Sequence, residues 1–256
     1  MYYNMGLEYL KSLLKITVYI SLLIQGLTGI FNIGILGFTS YYTSVSPDVN
    51  LLVELVWLGL FVQFVEGIFY VWLSKHLNSL SNITMYRYYD WLFSTPVMLV
   101  ILIVYLLFLN EKKEEKEKSE QITHTKNTPF KIDNNYKTVF VHVNENKKII
   151  GIVLALNVLM LLFGYLGEIG IFSITTSVLL GFIPFVIYFY LIYENYAKYT
   201  TMGLALFWFF SGIWSLYGLS ALMPYYMKNI GYNILDVISK NFFELFLGIK
   251  LIFYYM

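Results

Sequence analysis

Leu235-Asp236-Val237-Ile238-Ser239-Lys240 lies inside a hydrophobic stretch near the C-terminus. A lysine at bilayer depth costs about 2.5–3.5 kcal/mol on insertion scales, so a lysine kept there points to a function. Asp236 precedes it by four residues, which places both side chains on one helical face. A buried amine beside a carboxylate serves either as a structural ion pair or as the attachment point of a carbonyl cofactor through a Schiff base. A second stretch bears on the choice: Arg87-Tyr88-Tyr89-Asp90-Trp91-Leu92-Phe93-Ser94-Thr95-Pro96. Arg87 is the single arginine of the chain and precedes Asp90 by three residues. On spacing alone, an Arg87–Asp90 bridge that stitches helices together is one reading and a functional pair is the other.

The rest of the composition places both stretches in a membrane. Of 256 residues, 58% are hydrophobic, 20% aromatic and only 13% charged, with a mean hydropathy of +0.64, far from an ordinary soluble domain. A net charge of +1 provides no global field to recruit nucleic acid. The absence of cysteine excludes disulfides and thiolate metal sites. His76, His124 and His142 all fall in polar connections, so no metal site is expected on them. The start of the chain lacks a cleavage-site pattern, and the first span reads as retained. Nothing in these features points to an enzyme.

Seven apolar stretches are long enough to cross about 30 Å of hydrocarbon as helices: 16–38, 51–73, 86–109, 148–169, 171–193, 202–226 and 232–255. The fold expected is an all-α membrane protein, a single seven-helix bundle spanning 1–256. Its one long polar segment connects the third and fourth helices. Within it, Glu111 to Lys118 alternates in sign and reads as solvated and mobile. Tyr136 to Val143 alternates like a strand and suggests a small hairpin. The insert, 111–147, reads as an elaborated, partly disordered loop or as a docking element for a partner. Nine of the 17 Lys and Arg residues lie between 110 and 148, which puts that loop, and with it the C-terminus, on the cytoplasmic side and the N-terminus outside.

Together the two quoted stretches resemble the retinal-binding heart of microbial (type-1) rhodopsins. The resemblance implies that Lys240 carries all-trans retinal as a protonated Schiff base, with Asp90 and Asp236 as counterions and Arg87 offsetting their excess charge. A cationic imine in low dielectric needs anions close by, which agrees with that assignment. Trp91, Thr95 and Met98 share a face similar to the family's retinal wall. Trp214 and Tyr217 resemble its sixth-helix sandwich, with Gly218 where a proline is common. Asn157 and Met160 fall where the fourth helix of family members often faces the third-helix threonine and the retinal ring, so a Thr95–Asn157 hydrogen bond is expected. The Lys240-Asn241 pair, Gln63 with Glu66, and the Ser94-Thr95-Pro96 form look most like giant-virus rhodopsins, whose first group includes light-gated cation channels. The implied partners are the lipid bilayer, retinal, and monovalent cations or protons. Homo-oligomers are common in the family, and nucleic acid is not a partner. The implied location is multi-pass, in a host-cell membrane if the chain is viral.

Outward pumps of this superfamily usually place a carboxylic donor two turns inward from the third-helix counterion, where this chain has Ile101. Polar residues rarely enter spans without facing water or the bundle interior. Glu66 is deep and reads as pathway lining, with Gln63, Ser94 and Asn241 beside it. Glu54 is near a helix end and reads as interfacial. Glu244 follows Lys240 by four residues, about 6 Å further along the same face. It reads as a replacement donor or as an inner gate bonded to Asn241 or near Asn157. A light-gated cation channel is the expectation, an outward proton pump the alternative, and a sensor signalling through its cytoplasmic loop the third reading.

Overall fold

The computed structural model describes residues 2–41, 47–77, 82–124 and 137–255. Its long rods are α1 (Tyr2–Tyr41), α2 (Pro47–His76), α3 (Thr84–His124), α5 (Lys147–Glu168), α6 (Ile174–Ile192) and α7 (Thr201–Ala221), with a short α4 (Val139–Glu145) between α3 and α5. A seventh rod is assembled from α8 (Tyr225–Asp236), a π turn over Val237–Asn241 and α9 (Phe242–Tyr255). Among the described residues, six helices are long and apolar enough to cross a membrane. The seventh rod carries Lys228, Asp236, Lys240 and Glu244, and all four are buried. Large apolar side chains such as Leu23, Phe64, Ile183 and Trp208 face outward, as a lipid-facing surface requires.

Local chemistry sets the helix ends. Thr138, Ser173 and Thr200 cap α4, α6 and α7, each side chain accepting from the backbone N–H three residues on. The tight connection between α5 and α6 turns through Gly170, whose φ of 81° is open to glycine at no steric cost. The expected helix boundaries shift at several places, the first helix beginning at Tyr2 and not at 16 and the second running 47–76 and not 51–73. The sixth helix ends at Ala221 and not at 226, and the seventh rod begins at Tyr225 and not at 232, because Pro224 opens a new helix there.

The polar insert departs from expectation. Glu111 to His124 continues α3 as helix and is not a mobile loop. Lys113–Glu117, Glu114–Lys118 and Lys116–Glu120 pair at i,i+4, which favours helix while leaving the side chains in solvent. The hairpin expected at 136–143 is replaced by α4, whose valine alternation is overridden by the Thr138 cap and by Glu54 Oε2, which accepts from Val139 N at 2.7 Å. Glu54 is therefore half-buried at the first turn of α4. Residues 125–136, within the stretch expected to be partly disordered, lie outside the described residues. His142 lies in the polar connection between α3 and α5 but is not solvated there. It is buried against α3, with Nε2 3.3 Å from Glu111 Oε2 and Nδ1 3.0 Å from the Thr138 carbonyl.

Candidate functional site

The centre of the bundle is a charge cluster built on the π turn. Lys240 Nζ donates to Asp90 Oδ2 of α3 at 2.9 Å and lies 3.4 Å from Asp236 Oδ1, one turn earlier on its own rod. Glu66 of α2 supplies the third carboxyl group, its Oε1 at 3.3 Å. All four side chains are at most 3% exposed. Tyr70 and Tyr217 donate to the two oxygens of Asp236 at 2.8 and 2.9 Å. Arg87 Nη1 reaches Asp236 Oδ2 at 3.3 Å. Two cations thus meet three carboxyl groups, and the cluster is neutral only when one of those carboxyls carries a proton.

This geometry replaces the Arg87–Asp90 bridge that spacing allowed. Arg87 turns toward the seventh rod, where it finds Asn229, Asn233 and Asp236, and makes no hydrogen bond or ion pair with Asp90.

Lys240 opens onto a cavity walled by Trp91, Thr95 and Met98 of α3, Met160 of α5, Phe182 and Phe185 of α6, and Trp214 and Tyr217 of α7. It holds about 780 Å³ of empty space, its open mouth included, within the usual range for a small-molecule pocket. Glycines let its aromatic walls close in. A Cβ at Gly164 would meet the Tyr88 hydroxyl at 2.5 Å, and one at Gly218 would meet Phe182 at 2.5 Å. Asn157 does not line the cavity but supports its wall, donating to Thr95 Oγ1 at 2.8 Å. The expected Thr95–Asn157 hydrogen bond is therefore present. Thr95 in turn donates to the Trp91 carbonyl at 2.8 Å.

Outside the cavity lining, Gln63 (5% exposed), Ser94 (0%), Asn241 (1%) and Glu244 (0%) are buried. Their side-chain polar atoms have no protein hydrogen-bond partner. The Glu244–Asn241 bond of the inner-gate alternative is absent. Glu244 instead lies against Gly59, where an added Cβ would come within 1.6 Å of Oε2. Gln25 and Asn32 of α1 are buried and unpartnered in the same way. The sequence reading missed them, although a polar residue inside an apolar span is the same signal that marks Glu66.

The profile of the bacteriorhodopsin-like protein family matches residues 18–252. The chain is a microbial rhodopsin. The fold of this rhodopsin is shared with a viral rhodopsin, OLPVRII, at a TM-score of 0.68 and 24% identity over 92% of this chain and 96% of that one. It is shared with the blue light-absorbing proteorhodopsin from Med12 at 0.65 and 14% identity, over 93% and 96% of the two chains. The proton pumping rhodopsin AR2 from the marine alga Acetabularia acetabulum matches at 0.64 and 15% identity, over 94% and 96%. No match is found among curated protein sequences. The rhodopsin is a membrane protein, and its cofactor is retinal bound to a lysine as a Schiff base. The residues present fit that group, since Lys240 lines the aromatic cavity and is ringed by carboxylates. Lys228, also buried, is engaged elsewhere by Glu168 at 2.7 Å.

Proposed function

We propose that this rhodopsin is a light-gated cation channel in which Lys240 bears the retinal and Asp90, Asp236 and Glu66 face its charge. Bound there, retinal supplies absorption of visible light and a photoisomerisation that moves the positive end of the chromophore. Trp91, Trp214, Met98 and Met160 would hold the chromophore in an apolar slot, with Thr95 fixed in its wall by Asn157. Asp90 Oδ2, the oxygen nearest Lys240 Nζ, would accept a proton released from that nitrogen. Asp236 remains paired with Arg87, Tyr70 and Tyr217.

The observation that carries the channel reading is the position of Glu66. It connects the Lys240 cluster to a run of buried side chains without protein partners, Gln63, Asn241 and Glu244, between α2 and the seventh rod. Buried polar groups are costly unless water or ions satisfy them. Carboxylates in such a row favour cations. At the end of the row, Glu54 holds the first turn of α4, which sits over the cytoplasmic ends of α2 and α3 in the orientation set by the basic insert. A second reading, outward proton pumping, is favoured by Glu244, which is fully buried four residues beyond Lys240 where a donor to the active site belongs.

Voltage-clamped photocurrent in retinal-supplied cells, wild type beside Lys240→Ala, separates the readings. Current that reverses near a cation equilibrium potential supports the channel. Outward current at every accessible voltage supports the pump. A pigmented protein without current moves attention to the helical insert as a signalling element. Failure to form pigment removes the Lys240 assignment.

A further inference from the structure

An extensive hydrogen-bonded network surrounds Arg87, beyond Asp236 from Lys240. The guanidinium is fully buried. Its Cζ lies 5.7, 5.8 and 5.6 Å from the ring centroids of Phe69, Tyr70 and Tyr232. Nε donates to Asn229 Oδ1 at 3.1 Å. Nη2 donates to Asn233 Oδ1 and, at 3.4 Å, to the Asn229 carbonyl. Only Nη1 reaches a charge, Asp236 Oδ2 at 3.3 Å, with the Tyr70 hydroxyl at 3.5 Å.

Each carboxamide is oriented from behind. Asn229 Nδ2 donates to Thr84 Oγ1 and to the Tyr225 carbonyl, both at 2.9 Å. Asn233 Nδ2 donates to Thr17 Oγ1 of α1 at 2.9 Å. An amide whose NH₂ end is taken has only its carbonyl oxygen to offer on the other side. Both asparagines are thereby fixed as acceptors aimed at the guanidinium. Asn229, Asn233, Asp236 and Lys240 follow one another at intervals of four, three and four residues, so all lie on one face of the rod. Asp90, one turn from Arg87 on α3, receives none of its donors, and Asp90 Oδ1 has no protein partner.

We infer that Asn229 and Asn233 are positioning residues that clamp the Arg87 guanidinium onto Asp236 and hold it off Asp90, making the two aspartates at Lys240 unequal before light is absorbed. The consequence for colour and photocycle rests on Lys240 bearing retinal, as proposed above. The clamp itself belongs to the protein with or without the chromophore.

Arg87 is the single arginine, so ¹⁵N-arginine labelling of the full chain in bilayers reports this one guanidinium by solid-state NMR. The wild type is expected to give two resolved Nη lines, one facing a carboxylate and one a carboxamide. The near-isosteric double variant Asn229→Leu/Asn233→Leu is expected to merge them by freeing rotation about Cζ. Thr84→Val touches Arg87 nowhere and removes only the support behind Asn229, and it is expected to shift the Nε line as Asn229→Leu does. It decides the matter if the double variant does not fold. A single averaged Nη line in the wild type, or lines that neither the double variant nor Thr84→Val moves, overturns the clamp. With retinal bound, the midpoint of the acid-induced colour change is expected to move by at least about one pH unit in the double variant, and an unmoved midpoint also overturns the inference. Absence of a visible band in the wild type counts against the Lys240 assignment alone, and the NMR result then judges the clamp by itself.

Discussion

Glu66 Oε1 and Lys240 Nζ are 3.3 Å apart, bringing the middle of the second helix and the middle of the seventh into direct electrostatic contact. Glu66→Gln keeps the shape and removes one of the three acidic groups around the lysine. Pigment is expected to form, with its band moved to longer wavelength because less negative charge localises the chromophore's cation. Photocurrent is expected to fall severalfold and lose cation selectivity. Absorption spectra and reversal potentials in a cation gradient check this; an unchanged reversal potential would remove Glu66 from the pathway.

Glu244 packs on Gly59 with both carboxyl oxygens lacking a protein partner. If it returns a proton to the Lys240 site, Glu244→Gln slows recovery of the photocycle by roughly 10²-fold, the ordinary size of a general acid contribution. Added azide, a mobile proton carrier, restores it. Flash photolysis reads both effects. A recovery rate equal to that of the wild type leaves Glu244 as pathway lining only.

The pair of Lys228 and Glu168, at 2.7 Å with side chains 8% and 4% exposed, ties the start of the seventh rod to the end of α5. Glu168→Gln leaves a buried ammonium without its partner and is expected to lower stability by about 3 kcal/mol. Replacing both residues by apolar ones of similar size, Glu168→Leu with Lys228→Met, should recover most of the loss. Thermal unfolding in detergent measures the two. Equal destabilisation by the single and double variants would show that the geometry, and not the orphaned charge, is at stake.

α4 is predicted to be held more firmly in acid. Burial pulls the His142 pKa down, but the Glu111 carboxylate and the Thr138 carbonyl outweigh it and leave the imidazole above its ordinary value. A group with a raised folded pKa stabilises fully below its unfolded pKa, about 6.5 for histidine. That stabilisation is lost as pH rises through the folded value. Lys137 is raised as well, by its bonds to Glu111 and Glu145, and it stays charged throughout this window. Protease nicking at 137–146 should therefore accelerate as pH rises above about 6.5. His142→Gln should abolish the dependence by cleaving at the fast rate at every pH. A rate flat in pH for the wild type would exclude the His142–Glu111 contact as a determinant.

Much of the site was legible in the chain because its signals are one-dimensional. A charge inside an apolar span is expensive wherever the span packs, so Lys240, Asp236, Asp90 and Glu66 stood out before any contact was known. Helical periodicity alone put Asp236 and Lys240 on one face, and Trp91, Thr95 and Met98 on another. Even the Thr95–Asn157 bond followed from a family pattern written in local sequence.

Tertiary structure decided where those charges spend their interactions. Arg87 lies three residues from Asp90 yet pairs with Asp236, 149 positions away, because packing of the seventh rod presents two oriented carboxamides to it. Glu66 read as lining proved to touch Lys240, a fact set by the approach of two helices and by no spacing within either. Tyr136 to Val143 alternates like a strand over a stretch too short for periodicity to discriminate, and an acceptor on α2 selects the helix over Val139–Glu145 by satisfying its first turn. Sequence determined which residues had to be buried and which faces they share, since desolvation and helical pitch act locally. The pairing of each buried charge depended on distances between helices, and those exist only in the assembled bundle.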